Sequence, residues 1–157
     1  MSNQRRAPRV NVLPILMLAY GAASLLHFAH NAVFIEDYPN LPAWLSSARV
    51  WAAWIGVTSV GLVGYVLMRL GYHLAGLATA AIYGALGFDG LAHYSLAPFT
   101  AHTWTMNLTI WLEVVTAALV LIMLADRFLS RLRVARKKVV ALRDSVWRGS
   151  GRARLIR

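Results

Sequence analysis

Long uninterrupted apolar runs separated by short polar joints set the pattern of this chain. A bilayer's hydrocarbon core of ~30 Å needs about 20 mostly apolar helical residues. Four runs qualify, at about residues 12–35, 50–70, 74–96 and 104–125, each rich in Leu, Val, Ile, Ala and Gly. In lipid an open sheet or irregular backbone would leave its amides unpaired, so each run is expected to be a helix. The predicted fold class is all-α: an integral membrane four-helix bundle. The start of the first run, with Arg5–Arg9 ahead of Val12–Tyr20 and Ala22–Ala23, imitates a cleaved leader. Cleavage would leave three spans, and four are expected.

Beyond the fourth run the pattern changes. From Asp126 to Trp147 the apolar residues narrow to Phe128, Leu132, Ala135, Val139, Leu142 and Val146, at alternating spacings of four and three. That is one stripe of a helix, with Arg131, Arg133, Lys137, Lys138 and Arg148 largely off it. Residues 126–148 are therefore expected to form a basic amphipathic helix, and 149–157, broken by Gly-Ser-Gly, a disordered basic tail. Residues 1–11 form a basic N-terminal segment. Within the runs, Gly84, Gly87 and Gly90 lie three apart with Ala80 a turn earlier, and Gly56, Gly61 and Gly64 mark the second run. Small residues on one stripe let helix backbones approach closely. Packing within the bundle is the expectation, and a tight helix also leaves room for something bulky beside it.

Charge then orients the bundle. The 157 residues carry a formal charge of +10, although 59% are hydrophobic and mean hydropathy is +0.55. Arg5, Arg6 and Arg9 precede the first span, and eleven basic residues from Arg127 to Arg157 follow the fourth. The joint between spans two and three carries Arg69. Glu36 to Ser47 has no Lys or Arg, and Ala97 to Thr103 has no charge. Basic residues collect on the cytoplasmic side, so both termini are expected there, in a bacterial inner membrane. Trp44, Trp51, Trp54, Trp104 and Trp111 fall toward the other face, as an aromatic belt would. The basic C-terminal helix suits anionic lipid headgroups. Docking to another subunit is the second reading. Nucleic acid is disfavoured, because only Trp147 could stack.

What remains inside the spans is polar and gathered at one depth. Ionisable groups in spans are costly and face the protein interior. His27, His30 and Asn31 share a face near the outer end of span one. Span three carries Asp89 and His93, four apart. The next joint carries His102, and span four opens with Asn107 and reaches Glu113. A rise of 1.5 Å per residue puts all of these within roughly the outer ~15 Å of the core. With no Cys in the chain, disulfides, thiolate metal sites and Cys nucleophiles are excluded. Imidazole plus carboxylate suits copper, zinc or iron, so His27, His30, Asp89, His93, His102 and Glu113 are the candidate ligands of a transition metal. Haem b, held by His27 or His30 with His93, is less natural for doubled His pairs. A hydrogen-bonded polar core with buried water is the competing reading.

The Asp89–His93 pair with His102 after it resembles the copper-binding Asp-x-x-x-His…His arrangement in the membrane-embedded C subunit of particulate methane and ammonia monooxygenases. The resemblance covers about fourteen residues, and eight residues separate His93 from His102 against a longer gap in that family. It implies copper ligation by Asp89, His93 and His102. Chain length and the remaining sequence do not follow the family.

No P-loop, dinucleotide fingerprint, Gly-x-Ser-x-Gly elbow or His-Glu-x-x-His is present. The leading expectation is metal handling, or redox chemistry on a lipophilic substrate. The alternatives are an accessory subunit scaffolding a larger membrane complex, and a cofactor-free lipid-modifying enzyme using Asp89 or Glu113 as acid with His93 as base. The loop Glu36–Trp44 holds two acids and two prolines. It is expected to be an interfacial connection with solvated acids, a lid over the polar cluster being the functional alternative.

Overall fold

The computed structural model describes residues 12–153. The basic N-terminal segment 1–11 and the last four residues of the tail lie outside it, as do the side chains of Ala135, Leu142 and Val146 on the C-terminal stripe. The described chain is helical throughout: α1 Val12–Val33, α2 Ser47–Arg69, α3 His73–Leu86, α4 His93–Leu96 and α5 Trp104–Ala153. Single 3₁₀ turns cover Ile35–Asp37, Asp89–Ala92 and Phe99–Ala101. Four stretches are long and apolar enough to cross a bilayer: Val12–Val33, Ser47–Arg69, His73–Leu96 and Trp104–Val134. From Ala125 the chain forms a separate unit, so the packing below concerns residues 12–124.

Core and exterior are both apolar. Leu13, Met17 and Tyr20 of α1 pack with Leu77, Ala80 and Tyr83 of α3 and with Ala117, Val120 and Leu124 of α5. Facing outward are Ile15, Leu18, Leu62, Ile82 and Ile122, each more than half exposed. α2 buries only Val50, Gly61 and Gly64, and it packs on α1 and α3 through those small side chains. A methyl group at Gly64 would stand 2.9 Å from the Ala80 backbone nitrogen, so α2 and α3 touch backbone to backbone. Gly71, at φ 90, makes the tight reversal between them. Its left-handed conformation closes α2 as glycine C-caps do, with the Tyr72 amide bonding back to the Leu67 carbonyl at 2.9 Å.

Two boundaries differ from the sequence expectation. α2 begins at Ser47 rather than near residue 50, which brings Arg49 into its first turn. Arg49 is accommodated there because its guanidinium donates to the Trp44 carbonyl and lies 5.7 Å from the centre of the Trp44 ring. The third apolar run is not one helix. It ends as α3 at Leu86, winds as a 3₁₀ turn over Asp89–Ala92 and resumes as α4 at His93. Gly87 and Gly90 are poor helix formers. Through this stretch the amides of Gly87, Phe88 and Leu91 bond to carbonyls three residues back.

Candidate functional site

The tight winding after Leu86 decides which polar groups meet. With about three residues per turn instead of 3.6, residues four apart no longer stack on one face. Asp89 is accordingly exposed while His93 is buried. The two nonetheless line one cavity, Asp89 at its exposed wall and His93 buried.

α1 supplies the straight side of the site. Tyr20, Ser24, His27 and Asn31 follow one another at spacings of four, three and four, and all are buried. Opposite them on α5 stands Glu113, 1% exposed. The few polar side chains of these helices in this stretch turn inward, where they face each other. His27 Nε2 lies 3.8 Å from Glu113 Oε2. Gly90 lines the same point, since a methyl group there would stand 3.6 Å from Glu113 Oε2 and 3.7 Å from His27 Nε2.

Hydrogen bonds identify which ring nitrogens carry lone pairs. The Thr109 hydroxyl donates to the Met106 carbonyl at 3.0 Å and lies 3.4 Å from His27 Nδ1. With the hydroxyl proton committed to that carbonyl, the arrangement favours the His27 tautomer protonated on Nδ1, with Nε2 facing Glu113. His102 Nδ1 donates to the Pro98 carbonyl at 3.1 Å, leaving the buried Nε2 without a partner. Asn31 Nδ2 donates to His93 Nε2 at 3.2 Å, and His93 Nδ1 has no partner. Ser24 Oγ is buried beside the Glu113 carboxyl, and neither it nor Glu113 Oε2 makes a hydrogen bond of ordinary geometry. Such groups cost about 1–3 kcal/mol each when left alone. A cluster of them points to a water, proton or ion among them.

The three imidazoles form a row, with ring centres 5.5 Å apart for His27 and His93 and 6.1 Å for His93 and His102. Among the described residues, no three His, Asp or Glu side chains converge closely enough to enclose an ion. The closest donor pair is His27 with Glu113.

The loop after α1 covers this row. Tyr38 is 4% exposed, lies 4.9 Å from the His93 ring centre to centre, and shares a 2.9 Å hydrogen bond with His30 Nδ1. Burial pushes its hydroxyl up to about 12, with Thr109 opposing in part, so it stays a neutral donor. Asn40, in the left-handed region at φ 57, ties the loop across to the Leu96 carbonyl at 2.9 Å. Asn tolerates that conformation better than most residues. Ser47 donates to the Ala32 carbonyl at 2.6 Å. Leu41, Pro42, Trp44 and Leu45 then roof a cavity of about 230 Å³ whose floor includes His27, Asn31 and His93. Glu36 and Asp37 are exposed, as expected, but the rest of the loop sits over the polar cluster.

Of the six candidate ligands, His27, His93, His102 and Glu113 are buried side by side or in sequence. His30 turns to Tyr38, and Asp89 lies at the cavity wall, exposed. Asn107 serves as a clasp: Tyr94 donates to its carbonyl oxygen at 2.8 Å, and its amide donates to the Phe99 and His102 carbonyls, both at 3.3 Å. The sequence reading passed over Ser24, Tyr38 and Thr109. Ser24 was legible in the Tyr20–Asn31 spacing. Tyr38 and Thr109 carry no local signal, because each acts across the chain. The chain matches no family model, no curated protein and no solved structure.

Proposed function

We propose that this is a four-span membrane protein that handles a transition-metal ion at His27 Nε2 and Glu113 Oε2. The observation that carries the reading is the 3.8 Å gap between an imidazole nitrogen and a carboxylate oxygen, both buried. With the His27 proton on Nδ1 both atoms are acceptors, and two acceptors do not hold each other. The distance is too long for a hydrogen bond, and it is near the roughly 3.4 Å edge expected between donors that share a tetrahedral ion at ~2.1 Å. Thr109 orients His27 from behind, as the outer partners of metal-bound histidines do. Nitrogen and oxygen donors without thiolate suit zinc, copper or iron. Two protein donors make an open and exchangeable site, which favours metal handling over a structural role. His93 and His102, next in the row, offer further imidazoles beside it.

Elemental analysis of the full chain purified in mild detergent tests this. About one metal per chain is expected, falling sharply in His27→Ala. A folded, metal-free protein, whose Glu113 and His27 then share a proton instead, overturns it.

The same reading places the cluster in the half of the bilayer away from the cytoplasm, with both termini cytoplasmic and the basic residues from Arg127 onward at the anionic leaflet. The absence of Cys makes this easy to test. Ser46→Cys should react with a membrane-impermeant maleimide in intact cells, and Ser145→Cys only after permeabilisation. The reverse pattern would refute the orientation.

A further inference from the structure

A second and larger cavity, of about 540 Å³, lies between α1, α2 and α3. None of the described residues lining it is charged, and most are apolar. Its size is that of a small-molecule site. Three hydrogen-bond donors stand on its wall. The Trp54 indole nitrogen and the Thr58 hydroxyl, one turn apart on α2, are buried and unpartnered. The Tyr83 hydroxyl comes from α3 and lies against Gly21, where a methyl group would meet it at 3.2 Å. Glycine at positions 21 and 61 makes room for the Tyr83 side chain beside the cavity, because a methyl group at Gly61 would collide with the Tyr83 ring at 2.9 Å.

We infer that this cavity binds a neutral, long-tailed carbonyl compound, a membrane-soluble quinone or ketone. The chemistry follows from the wall. The Trp54 indole can only donate, the Thr58 and Tyr83 hydroxyls donate as well as accept, and no cation is present among the described lining residues, so a ligand that brings carbonyl oxygens and no charge answers all three. A fatty-acid carboxylate would lack a cation to pair with. Depth separates the ligand from ordinary phospholipid. Trp54 and Thr58 lie roughly 10 and 16 Å along α2 from its start at Ser47, counted at 1.5 Å per residue. In a spanning helix that is toward the middle of a ~30 Å core, below the ester carbonyls of phospholipids, which lie at the interface. An acyl chain alone would fill the volume and leave the three donors unanswered. The inference rests on the helices crossing a bilayer and is independent of the metal.

The test is titration of the full chain in detergent with decylubiquinone, read by native mass spectrometry, with decane as the tail-only control. One quinone per chain is expected, displacing co-purified phospholipid. Tyr83→Phe keeps the ring and removes only the hydroxyl, Trp54→Phe keeps an aromatic side chain but loses the indole N–H and some volume, and each should weaken binding at least about fivefold, the worth of one typical hydrogen bond. Ala22→Phe, on the same wall, should abolish it. Binding that is unchanged in both Phe variants, decane binding as tightly as the quinone, or no binding to folded wild type would each overturn the inference. If Ala22→Phe does not fold, the two Phe variants still decide. Metal content is measured on the same samples, so the two proposals fail separately.

Discussion

Glu113→Gln is expected to purify folded but to lose its metal at least tenfold relative to wild type. The amide occupies the volume of the carboxylate, so the core around Ile110 and Ala117 keeps its packing. The Gln amide can donate to the His27 Nε2 lone pair, which removes the reason for an ion between them. A bound cation would lose its only anionic donor among the pair His27 and Glu113, which stand 3.8 Å apart. Loss of supporting groups behind a metal ligand already costs about 10- to 100-fold in affinity. Asp89→Asn and His30→Gln supply the contrast. Asp89 is exposed and His30 is engaged with Tyr38, so both variants should keep wild-type metal content. If Asp89→Asn loses metal while Glu113→Gln retains it, the site is wrongly placed.

Gly76→Ala is expected to be the most damaging single methyl in the bundle. The added carbon would stand 2.5 Å from Met68 Cγ, 2.7 Å from the Met68 nitrogen and 3.0 Å from the Gly64 carbonyl oxygen. Two of those three atoms are backbone and cannot turn away, so α2 and α3 must separate. Overpacking of this kind costs about 1–3 kcal/mol, and the backbone contact puts the expectation at the upper end. In lipid, close packing of small residues is itself what holds helices together. Gly56→Ala should do the opposite, because nothing lies within 4 Å of the new methyl. Replacing a helical Gly by Ala there should stabilise by about 0.5–1 kcal/mol. Denaturant unfolding in mixed micelles measures both. Equal midpoints for the two variants would contradict the packing described.

Much of the fold was legible because its cause is local. A run of twenty apolar residues with few charges winds helically whatever its neighbours do, and the four runs became four helical stretches long and apolar enough to cross a bilayer, the third of them interrupted. The start of α5 fell where the sequence reading put it, at Trp104. The start of α2, expected near residue 50, falls at Ser47 and takes in Arg49. Only the fold shows it held by Trp44. The break at Gly87–Ala92 was hidden for a similar reason. Gly84, Gly87 and Gly90 read equally well as a packing stripe, and packing is what two of them do. Added methyl groups at Gly84 and Gly87 would meet Leu121 and Ala117 on α5.

The site divides along the same line. Its residue types and its depth came from the sequence, since imidazole and carboxylate inside apolar runs stand out against their surroundings. Spacing along α1 also sufficed to put His27 and Asn31 on one inward face. Pairing did not follow. Asp89 and His93 were read as partners by counting four residues on an α-helix, and across the 3₁₀ turn one is exposed and the other buried, though both line one cavity. The pair His27 and Glu113 is 86 residues apart in the chain and no local rule selects it.

The sequence by itself determined that this chain is helical, apolar on the outside and polar at one level within, because hydrophobicity and helix period act over a few residues. Only the tertiary structure decided which lone pairs face each other, that a loop roofs them, and that a separate cavity opens beside Tyr83. Those depend on backbone winding at two glycines and on contacts across the bundle, which no window of sequence contains.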